Sequence, residues 1–230
     1  MEERYYAQSR SAVATFFSRV FGWMTLGVGL TTVAAFMVAT SPAAIKMIFG
    51  SGLFLTLIIL AQFALVIGLS AGINRMSFST ALGMFLLYSG LMGLTLSSVL
   101  LVYTSVSILS ALAVAVGMFG AMALYGVVTK ADLTPVGSFL YMSLFGLIIA
   151  MLINLFVHSA AFDLMTGIFG AIIFAGLTAF DMQRLKSFAV SAQSNGSEAL
   201  DRLALIGALM LYLDFVNLFL SLLRVMGKQR

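Results

Sequence analysis

The stretch "ALMLYLDFVNLFLSLL", residues 208–223, decides the fold. Leu203 to Leu223 is an apolar run of 21 residues with one acid, Asp214, near its centre. A membrane helix needs about 20 such residues. If Asp214 is excluded, the run breaks into pieces of 11 and 9 residues, and neither can span. The acid therefore belongs at membrane depth. A lone carboxylate in hydrocarbon is costly, so the chain must supply it with a partner or a wet cavity.

The composition agrees with a membrane reading. Of 230 residues, 62% are hydrophobic and 9% charged, whereas a soluble domain is about half apolar and about a quarter charged. There is no cysteine, which excludes disulfides and thiolate metal sites, and the single histidine, His158, argues against an imidazole-based metal site or triad. No cofactor and no enzymatic activity are expected. The basic residues are scattered rather than clustered, so no nucleic-acid partner is expected. "MEERYYAQSR" lacks the basic n-region and cleavage site of a secretory signal and is expected to stay attached.

Charges serve as fence posts for the other spans. Arg19 to Lys46 encloses 26 uncharged residues and Lys46 to Arg75 encloses 28, giving spans one and two. Arg75 to Lys130 encloses 54, too many for one helix, and "LVYTSVSI" (101–108) offers a break between spans three and four. Span five lies between Asp132 and His158, and span six between Asp163 and Asp181. "MQRLKSFAVSAQSNGSEALDR" (182–202) reads as a polar loop before span seven. Pro42 and Pro135 fall between spans. Gly90, Gly93 and Ser97 in span three, and Gly117 and Gly120 in span four, suit close helix packing. The expected organisation is an N-terminal cytoplasmic tail (1–18), a seven-helix transmembrane domain (19–225) and a short C-terminal tail (226–230). With the N-terminus inside, eight basic residues lie on the inner side and four on the outer, the arrangement that the positive-inside rule favours.

Of the eight carboxylates, Asp163 reads as a cap at the start of span six, whereas Asp181 and Asp214 fall within the membrane near its cytoplasmic half. Arg75 closes span two on the same side. Two carboxylates in contact share a proton and titrate in two apparent steps. A nearby arginine competes by favouring the ionised form, so the three groups can make a two-state latch; a purely structural Asp–Arg bridge is the alternative. Asp214, Asn217, Ser221 and Arg224 are spaced three, four and three, which places them on one helical face. Such a stripe lines a pore or is sheltered by neighbouring helices. Asn154 reads as helix–helix glue.

"LTAFD" followed by "LYLDFVNLFLSLLR" resembles the bacterial branch of the transmembrane Bax inhibitor motif family. The resemblance extends over the whole chain, through "GLTLS" in span three and "INLF" in span five. It implies two three-helix groups around a central C-terminal helix. It also implies a pH-sensitive calcium leak in a bacterial inner membrane, with Asp181 and Asp214 as the proton sensor and Arg75 as the latch. Asn217 and Ser221 are candidate pore-lining residues, and Asp181 and Asp214 are candidate calcium ligands. Some bacterial members carry an acid in the second span; "LTLIILAQFALVIGLSAG" has Gln62 as its nearest polar residue, which bears on calcium selectivity. Other relatives resemble modulators of a membrane AAA protease engaged through the N-terminal tail. An intramembrane aspartyl protease would also use two acids on adjacent spans, but Asp214 follows "LYL" rather than the Gly-x-Gly of presenilin-like enzymes.

Overall fold

The computed structural model describes residues 2–73, 75–191 and 197–230, with side chains over 13–73, 75–190 and 200–230. Eight helices follow in order: α1 (Glu2–Ala39), α2 (Pro42–Phe49), α3 (Gly52–Gly72), α4 (Phe78–Val102), α5 (Ser105–Val128), α6 (Thr134–Val157), α7 (Ala160–Ser191) and α8 (Ser197–Met226). All but α2 contain a segment long and apolar enough to cross a membrane, seven in total. The expected break in "LVYTSVSI" falls at Tyr103 and Thr104, where Thr104 caps α5. The prolines open helices: Pro42 and Pro135 sit in the first turns of α2 and α6, where the missing N–H costs nothing.

The chain forms two compact units. The first comprises residues up to Val102 together with Phe188–Leu209; the second comprises Tyr103–Ser187 and Met210–Arg230. The first therefore holds α1, α3 and α4, the second α5, α6 and most of α7, and α8 contributes to both. In α8, 61% of the most apolar window is buried, against 11% in α6, so the last helix is enclosed, as its polar stripe predicts.

Within the first unit, α4 lies directly on α1. A Cβ on Gly93 would stand 2.5 Å from the Thr31 carbonyl oxygen and 2.6 Å from Ala34 Cβ, so only glycine permits this backbone approach. The Thr31 hydroxyl, 2.8 Å from the Ser89 carbonyl, bridges the same two helices. The other glycines expected at packing faces behave differently: Gly90, Gly117 and Gly120 face open space. Spacing by three or four marks a face but does not say whether another helix covers it. The short helix α2 was not foreseen. Ser41 caps it by accepting from the Ala44 N–H, and its Ile48 packs with Val38 and Ile58.

Two further expectations are corrected. Most of the polar loop read over 182–202 is helical: α7 runs to Ser191 and α8 begins at Ser197, while 192–196 lie outside the described residues. Met182, Leu185 and Ala189 are buried and spaced three and four, an amphipathic pattern that reading charges as boundaries conceals. The intervening polar residues fasten the α5–α6 turn. Gln183 accepts from the Leu133 N–H and donates to the Ala131 carbonyl, and Lys186 donates to the Val127 carbonyl. At that turn Thr134 donates to Asp132, which holds the Asp132 carboxyl below its usual range. Asp163, in turn, does not cap α7. Ser159 accepts from the Phe162 N–H, and Asp163 pairs with Arg224, Nε to Oδ1 at 3.2 Å. Asn154 serves the same turn, accepting from the Ser159 N–H, rather than joining two helices in mid-membrane. The tail read over 1–18 is helical from Glu2 and continuous with span one; the side chains of Arg4 and Arg10 lie outside the described residues.

Candidate functional site

The site is built in the second unit from small residues that let helices approach α7. A Cβ on Gly126 of α5 would lie 2.1 Å from the Ala179 carbonyl oxygen. Gly137 of α6 faces the Phe180 ring in the same way, at 2.4 Å. Tyr141 is four residues beyond Gly137 and so shares its helical face. Its ring meets Phe180 edge to face, with centroids 6.1 Å apart. This places the Tyr141 hydroxyl 3.3 Å from Asp181 Oδ1, to which it donates.

Asp181 and Asp214 are buried, with 2% and 5% of their surfaces exposed. The two carboxyl groups lie close enough to act on one another. An ionised carboxylate only accepts, so the two acids can bond to one another only while one of them holds a proton. Asp214 Oδ2 is buried and has no hydrogen-bond partner among the described residues. Next to Asp214 in sequence, Phe215 meets Phe119 of α5 edge to face at 5.5 Å, and Leu218, one turn on along α8, is fully buried. Asp181 has more company. Besides Tyr141 it feels the charge of Arg184, one helical turn further along α7.

The remaining sequence-derived candidates are placed as follows. Asn217 is half-buried and donates to the Leu213 carbonyl one turn back. Ser221 is buried against Gly170 of α7, whose Cβ would stand 2.5 Å from the Ser221 hydroxyl. Arg75 belongs to the first unit, exposed on the turn after α3. Tyr141 and Arg184 were missed. Arg184 was readable, since "DMQR" puts a cation at i+3 from Asp181 on any helix. Tyr141 was not, because "SFLYMSLFG" has nothing that marks which face meets α7.

Chemically, the arrangement offers carboxyl and phenol oxygens at membrane depth. Calcium takes about 6–8 oxygen ligands, so the pair with Tyr141 can supply part of a coordination shell. Among the described residues no three His, Cys, Asp or Glu side chains converge.

Residues 13–230 match the family described as inhibitor of apoptosis-promoting Bax1. The chain is 45% identical to the inner membrane protein YbhL of Escherichia coli, over 97% of this chain and 95% of that one. It is 40% identical to an uncharacterized protein of Borreliella burgdorferi, over 94% and 92% of the two chains. It is 32% identical to an uncharacterized membrane protein of Streptococcus pyogenes, over 97% and 96%.

Proposed function

This chain belongs to the Bax inhibitor-1-like family of multi-pass integral membrane proteins, and on that premise we propose that it is a pH-sensitive cation leak, with calcium as the permeant ion. The observation that carries the reading is the nearness of two buried carboxyls, Asp181 and Asp214, with Asp214 Oδ2 buried and without a hydrogen-bond partner among the described residues. Two neighbouring acids in an apolar setting are favoured when they share a proton, which supports a sensing role. Loss of that proton leaves two like charges in contact, which drives them apart or toward cations.

In this reading the Asp181–Asp214 pair is both sensor and gate. Arg75 is the latch that competes for ionised Asp181, and Arg184 is a second cation acting on the same group. Asn217 and Ser221 line part of the path, with their oxygens available to a hard cation. The N-terminus is cytoplasmic, and the membrane is the bacterial inner membrane, as in the Escherichia coli relative.

The test is calcium flux into vesicles reconstituted with the full chain, across a pH series. A flux that changes with pH, and that follows the protein rather than the lipid, supports the leak. Protein-containing vesicles no leakier than empty ones at every pH would overturn it. Removing residues 1–18 separates a leak from regulation of a membrane AAA protease through the tail: the leak survives the deletion, and a tail-mediated interaction does not.

A further inference from the structure

On the α6–α7 face of the second unit, a groove of about 280 Å³ opens sideways from the bundle. Its walls include Ser143, Gly146 and Ala150 of α6 and Met165, Thr166 and Phe169 of α7. The α6 positions are spaced three and four, so small residues form a trough along one helical face. The Ser143 hydroxyl is turned onto the Phe139 carbonyl at 2.9 Å, which leaves the trough apolar. Beside it, Phe145 and Ile149 are 69% and 58% exposed, and α6 is the least buried of the spans. At this depth the surrounding medium is hydrocarbon.

One end of the groove carries charge. Thr166 lines the groove and also accepts from Arg224 Nη1 at 3.5 Å. Arg224 Nε faces Asp163, and Nη2 has no partner among the described residues. Lys228 and Arg230 are exposed beyond the end of α8, where the chain pairs with Tyr103 and Thr104. Groove residues Phe162 to Ile173 cover about 17 Å of α7 at 1.5 Å per residue, and they run inward from the charged end.

We propose that this groove seats an anionic glycerophospholipid, with one acyl chain over Gly146 and Ala150 and the phosphate on the free edge of the Arg224 guanidinium. A planar guanidinium with one edge occupied can still take a phosphate on the other. The apolar trough fits a chain of methylenes, and the guanidinium edge that Asp163 leaves open selects for charge in the headgroup.

The full chain in detergent is titrated with phosphatidylglycerol and with phosphatidylcholine of the same acyl chains, and binding is followed by native mass spectrometry. A phosphatidylglycerol carrying a photoreactive acyl chain then maps the contact. The wild type binds phosphatidylglycerol about fivefold better, the factor one basic residue contributes at an anionic surface. Arg224→Gln removes that preference and leaves phosphatidylcholine binding unchanged. Gly146→Leu weakens both lipids; a Cβ there meets nothing within 4 Å, so the substitution fills the groove without disturbing the fold. The photoproduct falls on peptides containing Met165 or Phe169. Equal binding of the two lipids to the wild type, labelling elsewhere, or cross-linking of two copies through α6 in place of lipid labelling would each overturn the proposal.

Discussion

In the first unit the buried polar side chains are Thr31, Gln62, Ser89 and Ser97; in the second they include two carboxylic acids, Asp181 and Asp214. The hydroxyls of the first unit are satisfied cheaply. Ser89 donates to the Phe85 carbonyl and Ser97 to that of Leu94, each within its own helix. Gln62 donates to Thr95 at 3.0 Å. None of these groups changes charge. A helix offers an ionised carboxyl carbonyls rather than free N–H groups, so its partner must be another side chain, as Tyr141 and Arg184 are for Asp181. Among the described residues the second unit is thus the part that buries titratable acids, whereas the Arg19–Asp201 pair of the first lies at the surface.

Removing the acids should break this contrast most completely. Asp214→Asn or Asp181→Asn abolishes the shared proton, and the pH dependence of calcium flux in vesicles should become flat. Gln62→Leu, at the most polar buried position of the first unit, should leave the pH profile intact. A flat profile for Gln62→Leu, or an unaltered one for Asp214→Asn, would erase the distinction.

Close packing gives the next largest effect. Gly93→Ala and Gly126→Ala each drive a Cβ into backbone, at 2.5 Å and 2.1 Å respectively. Each should cost about 1–3 kcal/mol of stability, as overpacking does, visible as a lower melting temperature in detergent. Only Gly126→Ala should also move the pH midpoint of flux, since Ala179 is two residues from Asp181 on α7.

The arginines come third. A cation beside an acid favours the ionised form, so its removal lets the pair bind its proton at higher pH. Arg75→Ala and Arg184→Ala should therefore both move the flux midpoint upward, by about one pH unit for each 1.4 kcal/mol of lost coupling. A shift with Arg184→Ala alone would mean that the latch lies within the second unit. The smallest effect belongs to Thr31→Val. An interhelical hydrogen bond in a membrane averages about 0.6 kcal/mol, and its loss should lower the melting temperature slightly with no change in pH profile.

The spans were legible because hydrophobic length is a strong signal, and Asp214 was legible because the last span is impossible without it. The pairing of Asp181 with Asp214 was legible from topology and resemblance together. The helical continuation to Ser191 was hidden by taking Asp181 as the boundary and the polar residues after it as a loop, although the buried Met182, Leu185 and Ala189 share one face. Asp163 was read as a cap because capping is local and sequence shows local neighbours. Its real partner, Arg224, is distant in the chain. Tyr141 was out of reach for the same reason: its role depends on Gly137 and Phe180 bringing α6 onto α7.

The order of these residues along the chain matters while the protein is being made. Asp181 is synthesised 33 residues before Asp214. At about 5–20 residues per second that is an interval of roughly 2–7 s. During it α7 must enter the bilayer with its acid but without the other member of the pair. Tyr141 is already in place by then, and Arg184 follows almost at once. The phenol and the guanidinium are thus the escorts available to Asp181 during insertion, before Asp214 has been made.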